Sequence, residues 1–500
     1  MKTEATGWSR GVLFLALGFT ALRLVAAGTI HLTEDESYYR LWAMHLQFGY
    51  LDHPPMIAWW IRAGETIFGD TPLGVRLVPT LAAGLTTWLI ADLARRLGAS
   101  PHTAFRAALW YNATLTVCLG GMLAIPDAPA SLFWTITLWS LAQFWDSKKA
   151  SWWLAAGAAA GLAVMSKYSA LFLAPGVLLW LLLVPGGREE LRKPGPWIAA
   201  VVAGLIFSAN VVWNAQHDWL TFTKQFGRVA PRGIYLSHLA ELLGTQFLVF
   251  TPLMAIYAGN GIWQGWRERA QTGAVRLILP VATSAPFAVY LLIHSLHDRV
   301  QGHWPAPLFG ALAISAAVAA ERFGKTQRGR VLRALAPAAG YLVGATAFAV
   351  MGLPTPTFLG PFDPTQPLRG WPQFARDVEA ERVKTGAAWV GTDSYGMFAQ
   401  LNDEHRTRAP LLDLTERDRY WATDPGRPDF TQPGLVVDLS RRLVRRDILR
   451  CFTSVDYKGE ILRGGGLNHN QHYSAYLVSG PRRDVWIIGC PDEIAPGVWR

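Results

Sequence analysis

The stretch TEDESYYRLWAMHLQFGYLDHPP, Thr33 to Pro55, decides how this chain is read. It carries the acids Glu34, Asp35, Glu36 and Asp52 and the histidines His45 and His53, with His31 just ahead. It directly follows an apolar run, residues 11–28, long enough to cross a bilayer. Pro54-Pro55 closes it before a second amphipathic segment, and Tyr38, Tyr39, Trp42, Phe48 and Tyr50 are interleaved with the acids. Titratable groups gathered at a membrane boundary are costly unless they are solvated, paired or used. The rest of the chain favours use.

Outward from this stretch the chain is apolar. Of 500 residues, 51% are hydrophobic and only 16% charged, with a mean hydropathy of +0.19, which excludes an ordinary soluble globule. Apolar runs at approximately 11–28, 73–94, 104–125, 128–145, 152–166, 168–184, 196–213, 239–258, 275–294, 305–320 and 334–351 read as about eleven membrane spans. The first lacks a small-residue cleavage site after it and is read as a retained span. The 23 tryptophans suit interfacial belts. The net charge of +10 comes largely from short loops between apolar runs, a pattern of orientation signals and anionic lipid contact, so nucleic acid is excluded as a partner. Arginine and lysine concentrate in alternate loops, which places the Asp35–Pro55 segment outside. An odd number of spans puts the C-terminus outside too.

Near residue 352 the character changes. PTPTFLGPFDPTQPLRGWP is a proline-rich junction, beyond which charge density rises and long apolar runs stop. AAWVG, GLVVDL, AYLVSG and VWIIG read as strands. The expected organisation is a membrane domain over 1–351, with an outer first loop at 29–72, and a small external α/β domain over 352–500. Cys451 and Cys490 both fall in that external domain, where an oxidising compartment permits a bridge; Cys118 lies in a span.

Four words carry a family resemblance: DESYYRLWAMHLQFGYLDHPPMIAWWIR after the first span, PDAP at 126–129, SKY at 166–168 and HWPAP at 303–307. In order and topology over roughly residues 10–350 the chain resembles the polyprenyl-phosphate-sugar-dependent glycosyltransferases of GT-C fold. Its nearest group is the bacterial branch related to protein O-mannosyltransferases and the lipid A aminoarabinose transferases. The resemblance implies a bacterial inner-membrane enzyme whose site faces the periplasm. It implies inverting transfer of one sugar from a polyprenyl-phosphate carrier to a periplasmic lipid or glycan acceptor, lipid A or another lipopolysaccharide component, with membrane lipids as surroundings; a protein O-mannosyltransferase-like enzyme acting on a protein hydroxyl is the alternative.

A lipid phosphate is a good leaving group, so the site needs chiefly to hold an anion and prepare an acceptor oxygen. By the resemblance Asp35 serves as base or as orienter of the acceptor, with Glu36 and Asp127 as further catalytic candidates. Asp52-His53-Pro54-Pro55 aligns with a word whose acid helps bind a divalent metal and whose basic residue faces the donor phosphate. Here His stands where that group has Lys, so His53 either serves the phosphate or joins Asp52 as a ligand. Zinc, magnesium and manganese are all admitted, with His217 as second ligand. Lys167 matches the donor-phosphate lysine; Lys224, Arg228 and Arg299 are further phosphate candidates. Tyr38, Tyr39 and His303 are candidates for sugar or acceptor contact.

Each has a plainer reading: a helix cap for one of the first-loop acids or for Asp127, a snorkelling end for Lys167, ordinary surface for His217, Lys224 and Arg228. A transporter or lipid flippase is the competing class, but its acids would lie near the midplane of repeated halves, whereas these lie at span ends on one side.

Overall fold

The computed structural model describes residues 2–227, 233–271, 276–323, 326–352, 365–404, 409–415, 419–420, 427–443, 450–464 and 471–482. The chain divides into two compact units: Met1–Gly28 with His53–Phe348, and Thr29–Asp52 with Ala349–Arg500. The first-loop segment therefore belongs to the same unit as the C-terminal residues.

The first unit is a helical membrane domain. Ser9–Thr29, Pro72–Arg96, Pro194–Gln216, Ala306–Phe323 and Gln327–Gly352 are long and apolar enough to span a bilayer. Leu236–Val249 with Pro252–Arg267 makes a sixth candidate, bent by 104°. A straight helix over 239–258 is ruled out by local chemistry: Pro252 has no N–H for the helical ladder, and Thr251 sits at φ 64°. The Thr251 hydroxyl donates to the Ala336 carbonyl at 3.0 Å. The run 104–125 is likewise two pieces, Pro101–Ala113 and Leu115–Gly120, joined at an extended Thr114. Arg23, 1% exposed within the first span, bridges that break by donating to Asn112 Oδ1 at 2.9 Å and the Val117 carbonyl at 2.8 Å. Ser151–Val164, Tyr168–Leu183 and Ile278–His294 are shorter apolar helices. Among the described residues, five or six helices qualify as spans by length and composition, against the eleven runs read from the sequence; breaks such as that at Thr114 shorten some of the others.

Ser151–Val164 packs on Pro194–Gln216 through glycines four apart. A Cβ on Gly157 would lie 2.4 Å from the Ala199 carbonyl oxygen, and one on Gly161 2.9 Å from Ile206 Cβ. Without side chains there, the two backbones meet closely, the usual device where lipid offers no hydrophobic drive.

The second unit is built on a five-stranded sheet of order β2-β1-β3-β5-β4, with β1 Trp389–Thr392, β2 Leu411–Asp413, β3 Gly434–Leu439, β4 Phe452–Arg463 and β5 Gln471–Pro481. β1 pairs in parallel with β2 and β3, and β5 runs antiparallel to both β3 and β4. Trp389, Leu412, Val436, Phe452 and Val478 form its core. AAWVG, GLVVDL and AYLVSG fall on β1, β3 and β5, while VWIIG lies outside the described residues. Cys451 is disulfide-bonded and Cys118 free and buried; Cys490, the third cysteine, lies outside the described residues.

The helix Glu34–Met44 joins this unit against the helix Tyr395–Asp403 that follows β1. Arg40 pairs with Asp403 at 2.9 Å, His31 with Glu404 at 2.8 Å, and Gln400 donates to the Leu32 carbonyl at 3.0 Å.

Candidate active site

In the helical unit three of the quoted words converge. Asp127 opens the helix Asp127–Ser147, and its carboxylate turns to Lys167 rather than capping the helix; no side-chain cap is made there. Lys167 Nζ donates to Asp127 Oδ1 at 2.7 Å, and His303 Nε2 lies 3.7 Å from Oδ2. The Lys167 ammonium also stands 5.9 Å from the centre of the Trp304 ring. PDAP, SKY and HWPAP thus meet around one carboxylate.

Local structure fixes the lysine. The helix Ser151–Val164 ends in a tight turn in which the Lys167 N–H still donates to the Ala163 carbonyl, while Lys167 itself is extended (φ −158°, ψ 134°). The Met56 N–H after Pro54-Pro55 donates to the Met165 carbonyl at 3.1 Å, so the Pro-Pro word docks on this same turn. Tyr168 anchors the other side through a hydrogen bond to Asn210 at 2.8 Å. The side chains of Asp127 and Lys167 are 6% and 11% exposed, and an ammonium with three donors spends one on Asp127. An apolar cleft of about 590 Å³ in the same unit is lined by Val164 and Ala170, on either side of Lys167 in the chain, and by Trp153, Leu173, Trp197 and Phe207.

In the second unit Asp35 and Asp52 sit among phenols. Tyr38 OH donates to Asp52 Oδ2 at 2.8 Å, and Arg419 pairs with the same oxygen. Tyr395 OH donates to Asp35 Oδ1 at 2.9 Å, and Tyr420 OH donates to the Tyr395 carbonyl at 2.6 Å. The Tyr38 ring meets those of Trp42, Tyr395 and Tyr420 at 4.9, 5.3 and 5.5 Å. Burial, and then the Asp52 charge, push the Tyr38 phenol well up; burial and Asp35 do the same to Tyr39 and Tyr395. These phenols therefore remain neutral, the protonated form that donates to a carboxylate.

Glu36 is placed differently from its neighbour. It is fully buried and completes a capping box: the Thr33 N–H donates to its carboxylate at 3.0 Å, and its own N–H donates to Thr33 Oγ1 at 3.2 Å. Its position is that of a helix-start residue. His53 is half-buried. His217 Nδ1 lies 2.7 Å from the Trp213 carbonyl and its ring stacks on Trp213 at 4.2 Å. Lys224 is half-buried in the helix Leu220–Gly227, Arg299 forms an exposed pair with Glu241 at 3.0 Å, and Arg228 lies outside the described residues. Among the described residues no three His, Cys, Asp or Glu side chains are grouped to hold a metal, and a guanidinium already engages Asp52. Among the described residues the donor set around Asp52, a phenol and a guanidinium, does not fit a divalent ion.

Tyr395, Arg419 and Tyr420 were not marked by any feature of the sequence. The only trace is a charged-aromatic pair, Arg419-Tyr420, inside a polar loop.

Residues 52–213 match the sequence profile of the family described as dolichyl-phosphate-mannose-protein mannosyltransferase. The chain is 29% identical over 314 residues to a lipid A galacturonosyltransferase, RgtD, of Rhizobium johnstonii, covering 61% of this chain and 65% of that protein. It is 27% identical over 390 residues to the undecaprenyl phosphate-alpha-4-amino-4-deoxy-L-arabinose arabinosyl transferase of Edwardsiella ictaluri, covering 73% and 63%. The chain thus spans under two thirds of the length of either relative. Its fold is that of ArnT from Cupriavidus metallidurans, solved bound to undecaprenyl phosphate: TM-score 0.60, 14% identity, covering 94% of this chain and 98% of that one.

Proposed function

We propose that this chain, which belongs to the polyprenyl-phosphate-sugar-dependent GT-C glycosyltransferases related to protein O-mannosyltransferases and lipid A aminoarabinose transferases, moves one sugar from a polyprenyl-phosphate donor to lipid A or another lipopolysaccharide component. The observation that carries the reading is the buried Lys167–Asp127 pair, together with an apolar cleft lined in part by Val164 and Ala170, which flank Lys167 in the chain. An isoprenoid tail belongs in such a cleft, and an ammonium with donors to spare suits the phosphate at its head. Asp127 orients that ammonium.

The chemistry is one displacement. The acceptor hydroxyl attacks the anomeric carbon opposite the phosphate, the carbon–oxygen bond to the phosphate breaks, and the sugar inverts. Charge grows on the departing phosphate oxygen, where a fixed cation lowers the barrier. Asp35, held by the Tyr395 phenol, orients the acceptor or takes its proton.

The site faces the periplasm of a bacterial inner membrane in this reading, following the loop-charge bias. Cysteines placed at the exposed His45 and Ser454 should both react with an impermeant reagent from that side; protection of either rejects the orientation. For function, lipid A and core from cells with and without the gene are compared by mass spectrometry. Loss of one sugar from lipid A or core supports the reading, and unchanged glycoforms, with the gene expressed, oppose it.

A further inference from the structure

The resemblance implies a divalent ion at Asp52, yet the surroundings of Asp52 are built for something else. Asp52 is 6% exposed, and its Oδ2 is shared by the Tyr38 phenol and the Arg419 guanidinium. Arg419 in turn lies over the Tyr395 ring at 4.2 Å and near the Tyr38 ring at 5.6 Å. The Tyr395 phenol donates a hydrogen bond to Asp35 Oδ1 at 2.9 Å. A metal ion at that oxygen would have to displace a guanidinium from a cage whose walls are aromatic rings. A planar, permanently charged guanidinium suits the cage as an ion cannot, because it pairs with a carboxylate in its plane and stacks on rings with its faces.

We infer that Arg419 takes the part the resemblance gives to a metal: it is the positioning residue that holds the Asp52 carboxylate in place and, by packing on Tyr395, holds the neighbouring Asp35 in place. The C-terminal unit then contributes to the reaction itself, through a residue far along the chain from the first-loop acids. This inference rests on the transferase reading.

The test uses the full-length protein in proteoliposomes, with lipid A as acceptor and undecaprenyl phosphate carrying either galacturonic acid or aminoarabinose as donor. Wild type stripped with chelator should keep its rate. Arg419→Ala should lose about 10²-fold, mainly in kcat, the scale of a misplaced catalytic group. Added guanidinium ion should restore part of that rate, whereas zinc, magnesium or manganese should not. The double variant Asp52→Asn/Arg419→Ala should be no slower than the slower single, as expected for residues acting as a unit. That double variant removes both charges and also serves if Arg419→Ala alone fails to fold.

A rate lost on stripping and restored by a divalent ion overturns the inference, as does wild-type turnover in Arg419→Ala. Metal content separates this inference from the function it rests on. If wild type moves neither sugar, the transferase reading suffers. A stoichiometric divalent ion that disappears in Asp52→Asn would still overturn the role of Arg419, and protein that purifies without one supports it.

Discussion

Asp127 in the helical unit and Asp52 in the second unit are both buried carboxylates, 5% and 6% exposed, and each is paired with a cation, Lys167 and Arg419. The cations differ, and so does what surrounds them. Asp127 meets a lysine whose neighbours in the chain line an apolar cleft, with His303 half-exposed on its other oxygen. Asp52 meets an arginine enclosed by phenol rings. A compact ammonium keeps donors in reserve for a second anion, whereas a guanidinium stacked on rings is held in place. Ion pairing alone does not identify a site. In the reading proposed above, the first arrangement receives a ligand and the second serves as a brace.

The largest effect that separates the two units should come from Asp35. General-base or orienting help is worth about 10²–10⁴-fold, so Asp35→Asn should lower turnover by that order with donor KM little changed. Near-normal turnover would leave the second unit a scaffold. Next comes Lys167→Ala, made with Asp127→Asn so that no buried charge is orphaned. Losing one charged hydrogen bond to phosphate should raise donor KM about 10–10²-fold, measured in the same transfer assay. An unchanged KM would mean that the lysine only pins the helix end.

Gly157→Val tests packing in the helical unit alone. A side chain cannot fit against Ala199, and overpacking costs about 1–3 kcal/mol, read as a lower melting temperature in detergent. Glu36→Ala should cost about 1 kcal/mol as a lost cap, while the folded protein keeps far more activity than Asp35→Asn. A collapse in turnover without loss of stability would return Glu36 to the chemistry.

The smallest effect is in the pH dependence of the second unit. Burial opposes a charged His31, but its hydrogen bonds with Glu404 and the Leu32 carbonyl outweigh burial and raise its pKa above the ordinary 6.5. Protonation is then favoured in the folded state, so the stabilisation is complete below pH 6.5 and fades as pH rises through the raised value. His31→Gln should flatten that part of the stability profile measured between about pH 6 and about pH 8. An unaltered slope would assign it to another group.

The helical unit was the more legible of the two. Spans follow from apolar runs, and PDAP, SKY and HWPAP stand out because charged or rigid residues interrupt those runs at their ends. What was hidden there were the breaks at Thr114 and Thr251, where one residue's backbone decides whether a run is one helix or two. In the second unit β1, β3 and β5 were visible as apolar stretches. β4, FTSVDYKGEILR, was not, because it is an edge strand with many exposed polar side chains. Asp35 and Asp52 stand out in the sequence as candidates, but their contacts with Tyr395 and Arg419 do not. Those contacts arise from tertiary folding across more than 350 residues, and no local pattern records them.

The most direct measurement gives purified, full-length protein in proteoliposomes a polyprenyl-phosphate donor labelled in its sugar, with lipid A as acceptor. The expected result is label in lipid A matched mole for mole by free polyprenyl phosphate. Label that crosses the bilayer still attached to its carrier, with no polyprenyl phosphate released, would contradict the transferase and point to a flippase.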